Sequence, residues 1–152
     1  MWAVFLLSLI SSVYCYEEKW NSYMGEMRWH SFEGGLEEAK RRELPILAFF
    51  TADECEQCPV FFQFFNVNPR FRKLSKNFVL AALDSTDVYF TAEPFDKENY
   101  APKFAFFDYN GKLLPFDSYE SEEHKYFFGN LELLMNAMED VDEYMFDVKS
   151  EL

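Results

Sequence analysis

Ile46 to Asn66 reads ILAFFTADECEQCPVFFQFFN. Its first six residues, Ile46 to Thr51, form a short unbroken apolar run, the pattern of a strand buried on both faces. Pro59 to Asn66 then reads as a helix, with the proline in the first turn, where its missing N–H leaves no partner unserved. Between the two stands Cys55-Glu56-Gln57-Cys58. Two thiols three residues apart at a helix N-terminus lie on one face and can close a small disulfide. The helix dipole and the free N–H groups of the first turn stabilise a thiolate on the first of them.

The flanks extend this unit. Upstream, Phe32 to Arg42 places Phe32, Leu36 and Ala39 at helical spacing, with Ser31 as N-cap and Glu33 in the first turn, although Gly34-Gly35 weakens the helix. Downstream, Pro69 interrupts, Phe71 to Lys76 makes a further helical turn or two, and Phe78 to Leu83 is a second buried strand. Asp84 to Tyr100 is a long acidic loop. Lys103 to Asp108 reads as a strand, Asn110-Gly111 as a hairpin turn, and Lys112 to Phe116 as its returning partner. After a second acidic loop, Asp117 to Lys125, Asn130 to Phe146 is an amphipathic helix carrying Leu131, Leu134, Met135 and Met138. A parallel βαβ unit, an antiparallel hairpin and a closing helix give an α/β class, with a central mixed sheet flanked by helices.

The chemistry the motif offers is thiol–disulfide exchange. Cys55 is the expected nucleophile and Cys58 the residue that resolves the mixed disulfide. Two plainer readings stand beside it. Half a zinc site would need two further ligands, and His30 and His124 are not at ligand spacing. An inert structural disulfide is the other. Asp53, Glu54 and Glu56 surround Cys55 and oppose the helix dipole by disfavouring a thiolate, though as first-turn acids they also favour the helix. Val60 to Phe65 is apolar almost all round. Phe61, Phe64 and Phe65 are expected to pack inward and Val60 and Phe62 to point elsewhere. The segment is then either an exposed aromatic patch for unfolded clients or a dimer partner, or a helix buried on two sides.

The chain has 152 residues with 14 Lys+Arg against 27 Asp+Glu, a net charge of −13. Such a balance speaks against nucleic-acid binding and against docking on anionic lipid. Met1 to Cys15 carries no charged side chain and has the form of a cleaved signal peptide, too short for a stable membrane span. Its removal would leave Cys55 and Cys58 as the two cysteines of the mature chain. Residues 16–28 are expected to be a flexible N-terminal segment and 29–146 the folded domain. Residues 147–152 are an acidic tail ending in Lys149-Ser150-Glu151-Leu152, a variant of the KDEL retrieval signal. Signal and tail together imply the lumen of the endoplasmic reticulum, with the KDEL receptor as partner and an oxidising setting that allows a disulfide. No Asn-x-Ser/Thr sequon occurs. The acids from Glu139 onward could hold calcium weakly, or simply solvate a helix end; no metal or cofactor is expected.

From about Trp29 to Leu152 the chain resembles the small thioredoxin-fold proteins that comprise thioredoxin domain-containing protein 12 and the anterior gradient proteins. The resemblance rests on Trp29 with the Gly34 to Ala39 helix, Leu44-Pro45, Asp53-Glu54-Cys55, Phe78-Val79, Tyr100-Ala101-Pro102-Lys103 and the retrieval-type tail. It implies a single thioredoxin-like domain in the endoplasmic reticulum. It further implies thiol–disulfide oxidoreductase activity on cysteine-containing clients with glutathione as co-substrate, as in one branch. The other branch implies a non-catalytic, often dimeric, client-binding factor. In this arrangement a cis-proline stands at the place of Pro102 and, with Ala101, pairs with the bound substrate chain; the residues alone leave the isomer open, trans being the ordinary state of an X-Pro bond at a strand entry. Asp53-Glu54-Cys55 is similar to the anterior gradient branch, whereas Cys58 is similar to the other. Phe49 stands where the wider thioredoxin family carries a buried acid that deprotonates the second thiol.

Overall fold

The computed structural model describes residues 25–90, 92–95 and 100–152. The expected signal peptide and most of the expected N-terminal segment lie outside them. The chain enters at strand β1 (Trp29–His30), followed by helix α1 (Phe32–Arg42) and strand β2 (Ile46–Phe50). Helices α2 (Cys58–Val67) and α3 (Pro69–Leu74) lead through a 3-10 turn at Ser75–Asn77 into β3 (Val79–Leu83). Strand β4 (Lys103–Phe107) and helix α4 (Leu131–Ser150) complete the order.

The sheet runs β1-β3-β2-β4. β3 is parallel to both β1 and β2, and β4 is antiparallel to β2, with Phe49 opposite Ala82 on one side and Phe104 on the other. The fold is thus the expected thioredoxin-like α/β arrangement of a mixed four-stranded sheet between helices. Every residue of β2, β3 and β4 is buried, because both faces are covered. Alternation sorts the side chains into two layers. Leu47, Phe49, Phe104 and Phe106 face α2 and α4, where they meet Phe62, Phe65, Phe71, Leu134 and Met138. Ile46, Ala48, Phe50, Ala105 and Phe107 face α1, with Phe32, Ala39, Phe90 and Phe95.

Several sequence expectations are corrected. The partner strand expected over Lys112 to Phe116 shrinks to one bridge between Phe107 and Leu113, reinforced by the Leu114 N–H donating to the Phe106 carbonyl at 2.8 Å. Pro115 follows at once and has no N–H to extend the ladder. The closing helix runs on past Phe146 to Ser150; Asn130 caps its start by accepting the Glu132 N–H at 2.8 Å. Gly34-Gly35 does not interrupt α1. A Cβ on Gly35 would lie 3.3 Å from the Ala81 Cβ, so the glycine lets the helix sit close on β3. The turn at Asn110-Gly111 forms as expected, with Gly111 at φ 85°. Phe62 does not point outward. It is 0% exposed, edge-on to Trp29 at 5.2 Å and to Phe49 at 5.0 Å. The helix α2 is buried on two sides because Trp29, on the edge strand, closes over it. Val60, at 62% exposed, remains outward. Among the described residues no helix is long and apolar enough to cross a membrane.

Candidate active site

The site forms where β2 ends and α2 begins. Thr51 is buried, and both its N–H and its hydroxyl donate to the Leu83 carbonyl, at 2.6 and 2.8 Å. This fixes the end of β2 against β3. The chain then turns through Asp53 and Glu54, with the Cys55 N–H donating to the Ala52 carbonyl at 3.2 Å. Cys58 opens α2, and Pro59 occupies its first turn.

Cys55 and Cys58 are joined by a disulfide, with their Cα atoms 5.4 Å apart. The two sulfurs stand in different surroundings. Cys58 is fully buried in the α2 side of the core, whereas Cys55 is half-buried. The Cys58 N–H, the first of the helix, donates toward the Cys55 Sγ at 3.1 Å. This is the first-turn amide that stabilises negative charge on a leaving or attacking sulfur.

Cys55 opens into a cleft of about 470 Å³ lined by Glu54, Glu56, Gln57, Tyr100, Ala101, His124 and Phe127. Tyr100 stands edge-on to His124, with ring centres 5.0 Å apart, and to Phe127 at 6.3 Å. Ala101 is therefore brought to Cys55, as the sequence suggested. Pro102 is buried directly behind it, and the Ala101–Pro102 peptide is cis. The wall of Tyr100, His124 and Phe127 was not anticipated. Its signal in the sequence was the aromatic run Tyr126-Phe127-Phe128 closing the second acidic loop.

Phe49, in β2 and in the same core cluster as Cys58, is fully buried. It stacks on Phe104 at 4.7 Å and meets Phe61 and Phe65 edge-on at 5.9 and 5.8 Å. The position is packed among aromatic rings and supplies no carboxylate to Cys58. One layer further, Lys103 is buried with its ammonium 4.1 Å from the Phe90 ring centre, on the α1 side of the sheet. Among the described residues no three His, Cys, Asp or Glu side chains are grouped to hold a metal ion.

The tail lies apart from this cleft. Lys149 and Ser150 form the last turn of α4; Lys149 donates to the Glu43 carbonyl and Ser150 to that of Asp147. Glu151 and Leu152 follow, both exposed.

Residues 28–108, more than half of the chain, match the family described as thioredoxin-like. The chain belongs to the thioredoxin-like family. Among solved structures it is similar to a disulphide isomerase of Xylella fastidiosa Temecula1, at 20% identity over 78% of this chain and 86% of that one, with a TM-score of 0.47. It is also similar to thioredoxin O1 of Arabidopsis thaliana in its oxidized state, at 21% identity over 72% of this chain and 87% of that one, with a TM-score of 0.41. In this thioredoxin-like chain the matched residues take in the Cys55–Cys58 pair and the Ala101–Pro102 turn.

Proposed function

We propose that the protein is a thiol–disulfide oxidoreductase of the endoplasmic reticulum lumen, acting on cysteine-containing clients of the secretory pathway. The observation that carries the reading is the asymmetry of the pair. One sulfur faces an open cleft and receives a helix N-terminal N–H, while the other is sealed in the core. In the reduced protein the Cys55 thiolate attacks one sulfur of a client disulfide. A mixed disulfide forms and the client's other sulfur leaves as a thiolate. The Cys58 thiol loses its proton and attacks the Cys55 sulfur, which releases the client's second thiol and leaves Cys55–Cys58 oxidised. The client gains two electrons and the protein loses two. Glutathione is the small thiol of that compartment that would return the pair to the dithiol.

With Phe49 in place of an acid, removal of the Cys58 proton falls to solvent or the departing thiolate. The second step is then slower than the first. Ala101, with Pro102 buried behind it, supplies the cleft edge on which the client backbone lies. Retention follows from Lys149-Ser150-Glu151-Leu152 as a ligand of the KDEL receptor, and deleting Leu152 should cause secretion. The alternative of a non-catalytic client-binding factor rests on the likeness of Asp53-Glu54-Cys55 to the anterior gradient branch and on an exposed aromatic patch, and the burial of Phe62 removes part of the second support. Replacing Cys55 by Ser should abolish reduction of a model peptide disulfide; equal turnover by the variant would refute the assignment.

A further inference from the structure

The cleft that holds Cys55 has a definite chemical character. Among the described residues its lining carries two carboxylates, Glu54 and Glu56, together with three aromatic rings, and no Lys or Arg. Both glutamates are exposed, and neither is paired with a cation among the described residues. Among the described residues of the wall, His124 is the one other titratable group besides Cys55 and Tyr100. The chain carries −13 overall, so the wider field has the same sign. Lys103 already places its ammonium over the Tyr100 ring at 5.5 Å, and Phe127 adds an aromatic ring on which a guanidinium can lie, a pairing that adds to charge attraction.

We infer that the Cys55 cleft selects peptide disulfides flanked by Arg or Lys over peptide disulfides flanked by Asp or Glu. This rests on the exchange activity proposed above and names its substrate class. The two carboxylates neighbour the attacking residue in sequence, at positions 54 and 56, and line the same cleft, so a charged residue next to the client cysteine enters their field. The same carboxylates repel an acidic residue in that place. The chemical step is the one already given: the Cys55–client bond forms, the client S–S bond breaks, and the displaced thiolate takes a proton from water.

The test uses the full chain, reduced beforehand, with three short peptide disulfides of equal length whose flanking residues are Arg, Gln or Glu. Glutathione disulfide is run in parallel. Oxidation of the Cys55–Cys58 pair is followed by quenched-flow thiol alkylation and mass spectrometry. The Arg peptide should react about ten-fold faster than the Glu peptide at low ionic strength, and the ratio should shrink towards about two-fold near 1 M salt. The E54Q/E56Q variant should narrow the low-salt ratio by several-fold. Equal rates for the three peptides, or a ratio that ignores both salt and the variant, would overturn the selectivity while leaving the exchange reaction standing. Failure of every disulfide to oxidise the pair would overturn the exchange reaction itself and the selectivity with it.

Discussion

Truncating Phe62 to Ala separates a core side chain from a client-binding one. The ring is fully buried and lies edge-on to both Trp29 and Phe49, so it ties the edge strand β1 to the centre of the sheet through α2. Removing a buried phenylalanine costs about 3–5 kcal/mol, the transfer of the ring plus the cavity it leaves. The edge-to-face contacts favour the upper part of that range, because each is worth roughly 0.5–1.5 kcal/mol beyond the buried area. For a chain of this size about 1 kcal/mol moves the melting temperature by roughly 2–4 °C, so the loss should be on the order of 6–20 °C. Thermal unfolding followed by circular dichroism reads it directly. Val60→Ala on the same helix is the control: the side chain is exposed, and its removal should stay within about 0.5 kcal/mol. A Phe62→Ala protein that melts within about 2 °C of the wild type would refute the packing described for α2 and restore Phe62 as a surface residue.

Other perturbations follow from the same geometry. Ser31 caps α1 by accepting the Gly34 N–H at 3.1 Å, so Ser31→Ala should cost about 1 kcal/mol in urea unfolding. Arg70 joins α3 to α4 through Glu132, Glu139 and Asn136, and Arg70→Ala should lower the melting temperature at low salt, with the gap closing near about 1 M salt as screening shortens. Burial raises the Asp87 carboxyl above its ordinary value, with Asp84 and Glu33 nearby acting in the same direction. The folded state therefore holds that proton more tightly than the unfolded one, and this contribution to stability is full below the ordinary aspartate value and lost as pH rises through the raised one. Asp87→Asn should gain on the wild type above that window and lose its advantage as the medium is acidified, which a pH series of melting temperatures checks.

The central unit was legible because three signals agree on it. The run Ile46 to Thr51 is too short and too apolar for anything but a strand buried on both faces, Pro59 marks a helix start, and the cysteine spacing places two sulfurs at that junction. What escaped reading depends on tertiary packing. Two residues of β1 carry no periodicity, so Trp29 and His30 became a strand only by pairing with β3. Four aromatics in the five residues Phe61 to Phe65 of α2 look like a helix with a surplus of apolar faces, and only the return of Trp29 over Phe62 uses the second face. The far wall of the cleft comes from positions 100, 124 and 127, which no local pattern connects to Cys55 and which the antiparallel entry of β4 and the loop before α4 bring there. Helix α4 outran its apolar stripe because Met145 still reaches the core and Lys149 reaches the Glu43 carbonyl at the end of α1.

The direct test of the exchange claim is an equilibrium redox titration of the Cys55–Cys58 pair. The full chain is held in glutathione buffers of graded ratio, and the thiols are counted after alkylation. An exchanging pair should titrate reversibly with a midpoint between roughly −270 and −120 mV, the span of proteins that make and break disulfides. A pair that stays oxidised until below about −300 mV behaves as a structural bridge, and that result would contradict the account.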